Sequence, residues 1–347
     1  MTGRSVPPAA APAGRPLQVA AFTGGLTVAP ARFRVRQYIT PLARLGIAVH
    51  EHWPSLGAFP PRQRMLRPAW LVGTLAERLP QLAAGWRADI TLLQREMVST
   101  LPTLEGWTRR PRLVDIDDAV HLYRGGWAAQ RLARLADLVV VGNSWLAEIW
   151  GRWNPAIEIL ATPVDTDHYT VHQPPERPTI GWIGSAGNLR YLAAIAPALE
   201  RVVRRFPETR IAVCCDRPPD LPGLPVDYLP WSAEAEADFL AALTIGVMPL
   251  AEGPWERGKC SFKMLQYMAA GRPCVASPVG MNQELLDEAE IGRAAATIEE
   301  WTEALSGLIA DRAAAERMGM AGRDLAVARY SVAALAPRLA DLLRRLA

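Results

Sequence analysis

Of the 38 lysine and arginine residues in this chain only two are lysines, Lys259 and Lys263, and they lie four apart in one short segment. A lysine ammonium is a compact point charge suited to a phosphate. The segment reads as a loop, a helix over 261–270, then Gly271 and a buried strand, so both lysines flank the helix start. The helix dipole and its unpaired N–H groups favour an anion there as well. A diphosphate would meet both ammonium groups and the helix terminus together. The competing account is a solvated helix start with ordinary surface lysines.

Two further groups carry potential chemistry. Gly24-Gly25 directly follows the first apolar run. Glycine there lets backbone N–H groups approach a phosphate or sugar closely, or simply makes a tight turn. The Gly-x-Gly-x-x-Gly dinucleotide loop is missing, since Gly181-Trp-Ile-Gly184 lies within and at the end of a strand. Asp115-Ile-Asp117-Asp118 offers three carboxylates. A hard cation wants further oxygen ligands, which the sequence does not place, so no metal is expected. The alternatives are a contact to a reacting group, or a cap on the following helix.

The elements that must position these residues follow from periodicity. Short apolar runs bounded by turn residues alternate with amphipathic stretches, the pattern of parallel βαβ units. Strands are expected at Leu17–Thr23, Ile47–His52, Ile90–Gln94, Leu113–Ile116, Leu138–Val141 and Ile157–Leu160, with helices over 33–45, 69–86, 127–136 and 144–152. The pattern then restarts with strand Thr179–Ile183, helix 189–206, strand Ile211–Cys215, helix 233–243, strand Ile245–Pro249, helix 261–270 and strand Cys274–Ala276; from Glu299 it is helical only. The fold expected is α/β, two Rossmann-like doubly wound domains facing across a cleft, with C-terminal helices. Its parts are a disordered tail over 1–16, a first domain over 17–165, a proline-punctuated linker over 166–178, a second domain over 179–329, and a helix over 330–347 that packs back toward the first domain. Ligands of such sheets bind beyond the carboxyl ends of the strands. Those ends carry Gly24-Gly25, Glu51-His52, Arg95-Glu96, Asp115 to Asp118 and Asn143-Ser144 in the first half, and Gly184-Ser185, Asp216, Glu252 and Ser277-Pro278 in the second.

Composition bounds the setting. The four cysteines show no Cys-x-x-Cys spacing, which fits a reducing cytoplasm. No segment approaches the ~18 uncharged apolar residues that span a bilayer, and the Pro/Ala-rich start has no apolar run of signal-peptide length. The net charge of +3 hides a split: residues 1–172 carry 19 arginines against 13 acids, the remainder 19 basic groups against 22 acids. No aromatic–basic reader of nucleic acid appears. The basic half is expected to face an anionic surface or acceptor. Its segment from Phe59 to Arg87 mixes arginines with Trp, Leu and Met. It either makes a peripheral contact with an anionic membrane, at the inner face, or packs on its own sheet with a solvated arginine side.

The stretch Phe262-Lys-Met-Leu-Gln-Tyr-Met-Ala-Ala-Gly-Arg-Pro-Cys-Val-Ala-Ser resembles the donor-site segment of glycosyltransferase family 4. The resemblance covers most of the chain. Thr23-Gly-Gly, Arg32-Phe-Arg-Val-Arg, Asp115-Ile-Asp-Asp, Gly142-Asn-Ser-Trp-Leu, Pro163-Val-Asp-Thr-Asp, Ile180-Gly-Trp-Ile-Gly-Ser, Met318-Gly-Met-Ala-Gly-Arg and Tyr330-Ser fall in the family's order. It implies the two-domain GT-B architecture, a nucleotide-diphosphate sugar bound mainly to the second domain, a retaining transfer and no obligatory metal or other cofactor. The acceptor it leaves open: a glycan, a lipid-linked acceptor or a small molecule, with cell-surface polysaccharide synthesis as one setting. On this resemblance the donor contacts are Gly24, Gly25, Gly184, Ser185, Arg190, Lys259, Lys263 and Gln266, and the catalytic group comprises Lys263, Asp118 and His121, whose imidazole or backbone would face the donor sugar. The family's two glutamates, eight apart, correspond to Gly258 and Gln266, its arginine after the Gly184 strand to Ser185, and a nearby lysine to Arg190. Those departures leave two other readings open, a GT-B nucleotide-sugar epimerase and a non-catalytic nucleotide-sugar-binding protein.

Overall fold

The computed structural model describes residues 15–347, so most of the tail expected over 1–16 lies outside the described residues. Two six-stranded, all-parallel sheets organise the chain. The first half contains β1 (Leu17–Phe22), α1 (Gln37–Arg44), β2 (Ile47–His52), α2 (Arg67–Gly85), β3 (Ile90–Gln94), β4 (Arg112–Ile116), α3 (Trp127–Leu135), β5 (Leu138–Val141), α4 (Ser144–Gly151) and β6 (Ile157–Ile159), in the order β2-β1-β3-β4-β5-β6. The second contains β7 (Thr179–Gly184), α5 (Leu189–Ala194), α6 (Ala196–Arg205), β8 (Arg210–Cys215), β9 (Val226–Pro230), α7 (Ala235–Ala241), β10 (Ile245–Met248), α8 (Pro254–Arg257), α9 (Phe262–Ala269), β11 (Cys274–Ala276), α10 (Met281–Glu288), β12 (Gly292–Ala294), α11 (Ile298–Ala310) and α12 (Arg312–Leu325), in the order β12-β11-β10-β7-β8-β9. A last helix, α13 (Val332–Leu346), closes the chain.

Parallel strands covered by helices on both faces read as continuous apolar runs, and β3 and β4 are buried at every position. Chain order reverses between β1 and β3 in one sheet and between β7 and β10 in the other. The carboxyl ends at such reversals open a crevice, and here they lie beside Gly24 and Gly184.

The helix α13 crosses to the first domain. Its Leu335, Leu339 and Leu343 share a core with Val19, Leu42 and Ile47. Arg344 donates to the Leu45 carbonyl at 2.7 Å, and Val164 pairs with Ser331 in an isolated parallel bridge.

The elements depart from the periodicity in four places. The helix expected over 189–206 is two, α5 and α6, parted at Ile195, because Pro197 has no N–H to continue the ladder and takes a first-turn position instead. The edge strand β9 escapes detection: Pro230 closes it, and its exposed positions carry Leu229 as well as Asp227, so apolar and polar residues do not alternate cleanly. The short pair α10 and β12 was likewise not expected. The first helix also begins as a wide turn over Ala31–Arg36 before α1.

Candidate active site

A cavity of about 400 Å³ lies between the two domains, within the roughly 300–1,000 Å³ span of ligand pockets. The first domain contributes Thr27, Pro30, Phe33, Asp117 and Asp118; the second contributes Gly184, Ser185, Asp216, Lys259, Lys263 and Gln266. Phe33 and Phe262 meet across it, ring centroids 4.0 Å apart.

Lys263 sits in the first turn of α9, its Nζ 5.6 Å above the centre of the Trp182 ring. Its stem runs over Gly184: a Cβ there would stand 2.7 Å from Lys263 Cε and equally close to the Trp182 ring. Glycine at 184 thus makes room for the lysine rather than only for a ligand's approach. Burial pushes the Lys263 ammonium down to about 8, repulsion from Lys259 adds to this, and Asp118 opposes it. Lys259 precedes the helix, its Nζ 5.5 Å from the Trp255 ring centre. Two ammonium groups therefore face one cavity wall, held by aromatic faces.

The opposite wall is acidic but paired. Arg95 Nε donates to Asp117 at 2.7 Å and its Nη2 to Asp118 at 3.1 Å. Behind them Asp115 is buried with Arg34, whose Nε lies 3.1 Å from both carboxylate oxygens. Burial raises the Asp118 carboxyl above the usual range, with Arg95 partly offsetting it. The helix-cap alternative for Asp117 and Asp118 does not hold, since the turn at Ala119 and the helix α3 have no side-chain cap. Among the described residues no group of three His, Cys, Asp or Glu is placed to hold a metal ion.

Gln266 is buried in α9, its Nε2 donating to Tyr169 Oη at 2.9 Å. That hydroxyl donates at 2.5 Å to Glu236, which also accepts from Trp231 Nε1 at 3.0 Å. A buried carboxylate from α7 thus stands one hydroxyl away from Gln266. At position 258 no side chain fits: a Cβ there would lie 2.6 Å from Ala119 Cβ and 2.9 Å from Ala119 N.

Four of the residues singled out in the sequence stand outside the cavity lining. Gly24 and Gly25 form the turn after β1, where the Gly25 carbonyl accepts from Arg36 at 2.8 Å and the Gly24 carbonyl from Ala58 N–H at 3.0 Å. Arg190 belongs to a separate depression of about 630 Å³ with Tyr191 and Glu256, its Nη2 donating to Tyr191 Oη at 2.7 Å. His121 is buried against Trp145 and Trp153, 5.3 and 6.2 Å between ring centres, and burial lowers its pKa.

Phe33 and Arg34 stand in the sequence inside the Arg32-Phe-Arg-Val-Arg motif but without a role, and neither Glu236 nor the pairing role of Arg95 is foreseen there. For Arg95 the signal existed: it follows β3 directly, as Asp117 follows β4, the neighbouring strand. For the others nothing local shows the partner: the motif around Arg34 does not point to Asp115, which is 81 residues away.

Residues 177–311, most of the second domain, match the family profile described as glycosyl transferases group 1. No curated protein matches this chain in sequence. Among solved structures, Anabaena HepE in complex with UDP and glucose is similar at TM-score 0.68 and 16% identity, over 95% of this chain and 100% of that one. Sucrose-phosphate synthase from Thermosynechococcus elongatus is similar at TM-score 0.71 and 16% identity, over 95% and 99%. WaaG, described as a glycosyltransferase involved in lipopolysaccharide biosynthesis, is similar at TM-score 0.64 and 13% identity, over 94% and 99%. Two doubly wound parallel sheets facing across a cleft, matched over nearly the whole chain, give this protein the GT-B glycosyltransferase fold.

Proposed function

We propose that the chain transfers a sugar from a nucleotide-diphosphate donor to an acceptor hydroxyl, with retention and without a divalent ion. The observation that carries this reading is the pair Lys259 and Lys263 on one wall of the interdomain cavity, facing Asp118 on the other. In such a transfer the charge that develops sits on the departing diphosphate, so preorganised cations there do most of the work. Lys263, Lys259 and the first-turn N–H groups of α9 take that role. Asp118 accepts a hydrogen bond from a hydroxyl of the acceptor and orients it beside the leaving group. The UDP bound by the Anabaena neighbour supports a uridine donor. The metal-free reading rests on Asp115, Asp117 and Asp118 each being engaged by a guanidinium, which leaves them poor ligands for a hard cation.

A second reading, a non-catalytic nucleotide-sugar binder, draws on Gly258 and Gln266, where the resembling family carries carboxylates. A thermal-shift screen of UDP, GDP and their sugars, followed by assay of the stabilising donor, separates the two. A ligand at 100 times its Kd adds about 2.7 kcal/mol to stability. Stabilisation with acceptor-dependent release of the diphosphate, persisting after exhaustive chelation, is the expected result. Stabilisation without turnover on any acceptor supports the binder, and release restored only by Mn²⁺ or Mg²⁺ removes the metal-free step.

A peripheral contact with an anionic membrane belongs to the same proposal. Around α2, Phe59, Met65, Leu66, Val72 and Trp86 are exposed among Arg62, Arg64, Arg67 and Arg87, while Thr74, Arg78, Leu82 and Gly85 face inward. The helix does pack on its sheet, yet its outer side is apolar as well as basic. No described helix is long and apolar enough to cross a membrane.

A further inference from the structure

The loop that carries Lys259 is held by the opposite domain at three points. Asn143, only 2% exposed, follows β5 of the first sheet. Its Oδ1 accepts from Leu146 N–H at 2.8 Å and so caps α4. Its Nδ2 reaches across the interface and donates to the carbonyls of Arg257 at 3.1 Å and Lys259 at 3.0 Å. Beside it Gly142 is packed so closely on Cys260 that a Cβ would overlap the sulfur, and Cys260 Sγ donates to the Asp117 carbonyl at 3.1 Å. On the far side of the loop Gly258 lies against Ala119 with no room for a Cβ. Two glycines, one from each domain, thus permit the close approach, and one asparagine donates to two carbonyls of the loop.

From these contacts we infer that Asn143 is a positioning residue, a latch that holds the two domains closed and fixes the Lys259 loop against Asp117 and Asp118. An amide serves where a carboxylate cannot, because the same side chain must accept from its own helix and donate to the other domain. The latch couples closure to the phosphate wall: when the domains part, the loop's carbonyls lose the Asn143 amide donor that sets Lys259 relative to Lys263. Its phosphate consequence rests on the donor reading above; its geometric part does not.

Two substitutions test it. Asn143→Asp keeps the size and the helix cap, which aspartate supplies as well as asparagine, but removes both donated bonds and sets a carboxylate against two carbonyls. Gly258→Ala tests the same interface from the other domain; φ there is −76°, so alanine adds no backbone strain and acts only by wedging Ala119 away. The first readout is iodoacetamide labelling of Cys260, read by mass spectrometry, with Cys274 in the core of the second domain as internal reference. Both variants should label Cys260 about ten-fold faster than the wild type while Cys274 is unchanged. Unchanged Cys260 labelling, or equal acceleration of Cys274, in both overturns the latch. The second readout is titration with UDP and GDP. If the wild type binds neither, the donor reading fails and the labelling alone decides the latch. If it binds one, Asn143→Asp should weaken that binding about ten-fold, on the order of one lost buried donor, and unchanged affinity overturns the coupling to the phosphate wall.

Discussion

At the scale of single residues, Lys263 decides the electrostatics of the cavity. Its ammonium is pushed from the ordinary value of 10.5 to about 8, first by burial and then by Lys259. Because the folded-state value is depressed, the charged form costs stability below about pH 8, and stability from this group rises as pH climbs from about 8 toward 10.5. Binding runs the other way. A diphosphate needs the ammonium, so affinity should be flat below about pH 8 and fall above it, by at most about ten-fold per pH unit for one proton. Calorimetric titration at neutral and alkaline pH checks this, with Lys263→Arg as control, since a guanidinium stays charged throughout. A wild-type affinity that is equally flat to pH 9.5 takes Lys263 off the phosphates.

At the scale of elements, α9 brings Lys263 into the cavity and Gln266 into a buried network that ends on Glu236. Restoring a carboxylate there is therefore expected to harm. In Gln266→Glu the Tyr169 hydroxyl already directs its hydrogen bond to Glu236, so the new carboxylate meets a lone pair and a buried like charge whose Arg32 partner, at 3.3 Å, is already engaged. A loss of about 1–3 kcal/mol in urea unfolding at pH 7 should follow, easing as pH falls and the new group protonates; an unchanged midpoint would show that water reaches this network. The same elements show what could be read from the chain. Ile90–Gln94 and Leu138–Val141 matched expectation because central parallel strands are buried on both faces and so mostly apolar, with Thr91 and Gln94 the exceptions. Val226–Pro230 did not, because an edge strand carries neither that run nor a clean alternation. Lys259, Lys263 and Asp118 were legible as residues at strand ends and a helix start. The pairing of Arg34 with Asp115 and the reach of Asn143 to Lys259 were not, since they depend on how distant elements pack. Gly184 stands in the sequence as a donor contact, and its place beneath the Lys263 stem depends on how α9 packs on β7.

At the scale of the whole molecule, the first domain is basic, the second is mildly acidic, and the cleft lies between. The arginine and apolar side chains around α2 should bring the protein to anionic vesicles weakly and reversibly. Each basic group near such a surface contributes about 1 kcal/mol, fading within a Debye length. Cosedimentation with anionic vesicles at low salt should be lost with neutral ones and fall as salt rises. Replacing Arg62, Arg64 and Arg67 together by Gln should abolish most of it while nucleotide binding stays. No preference for anionic vesicles at low salt would assign the charge split to a soluble anionic acceptor instead. The account as a whole stands on the cleft taking a nucleoside diphosphate on its lysine wall, and titration calorimetry of UDP and GDP against the wild type and Lys263→Ala measures that directly. The account predicts saturable one-to-one binding of at least one of them, weakened about ten-fold or more in the variant, as for a lost charge-assisted contact. Binding of neither at concentrations on the order of 1 mM, or equal affinity in a folded Lys263→Ala variant, would contradict it.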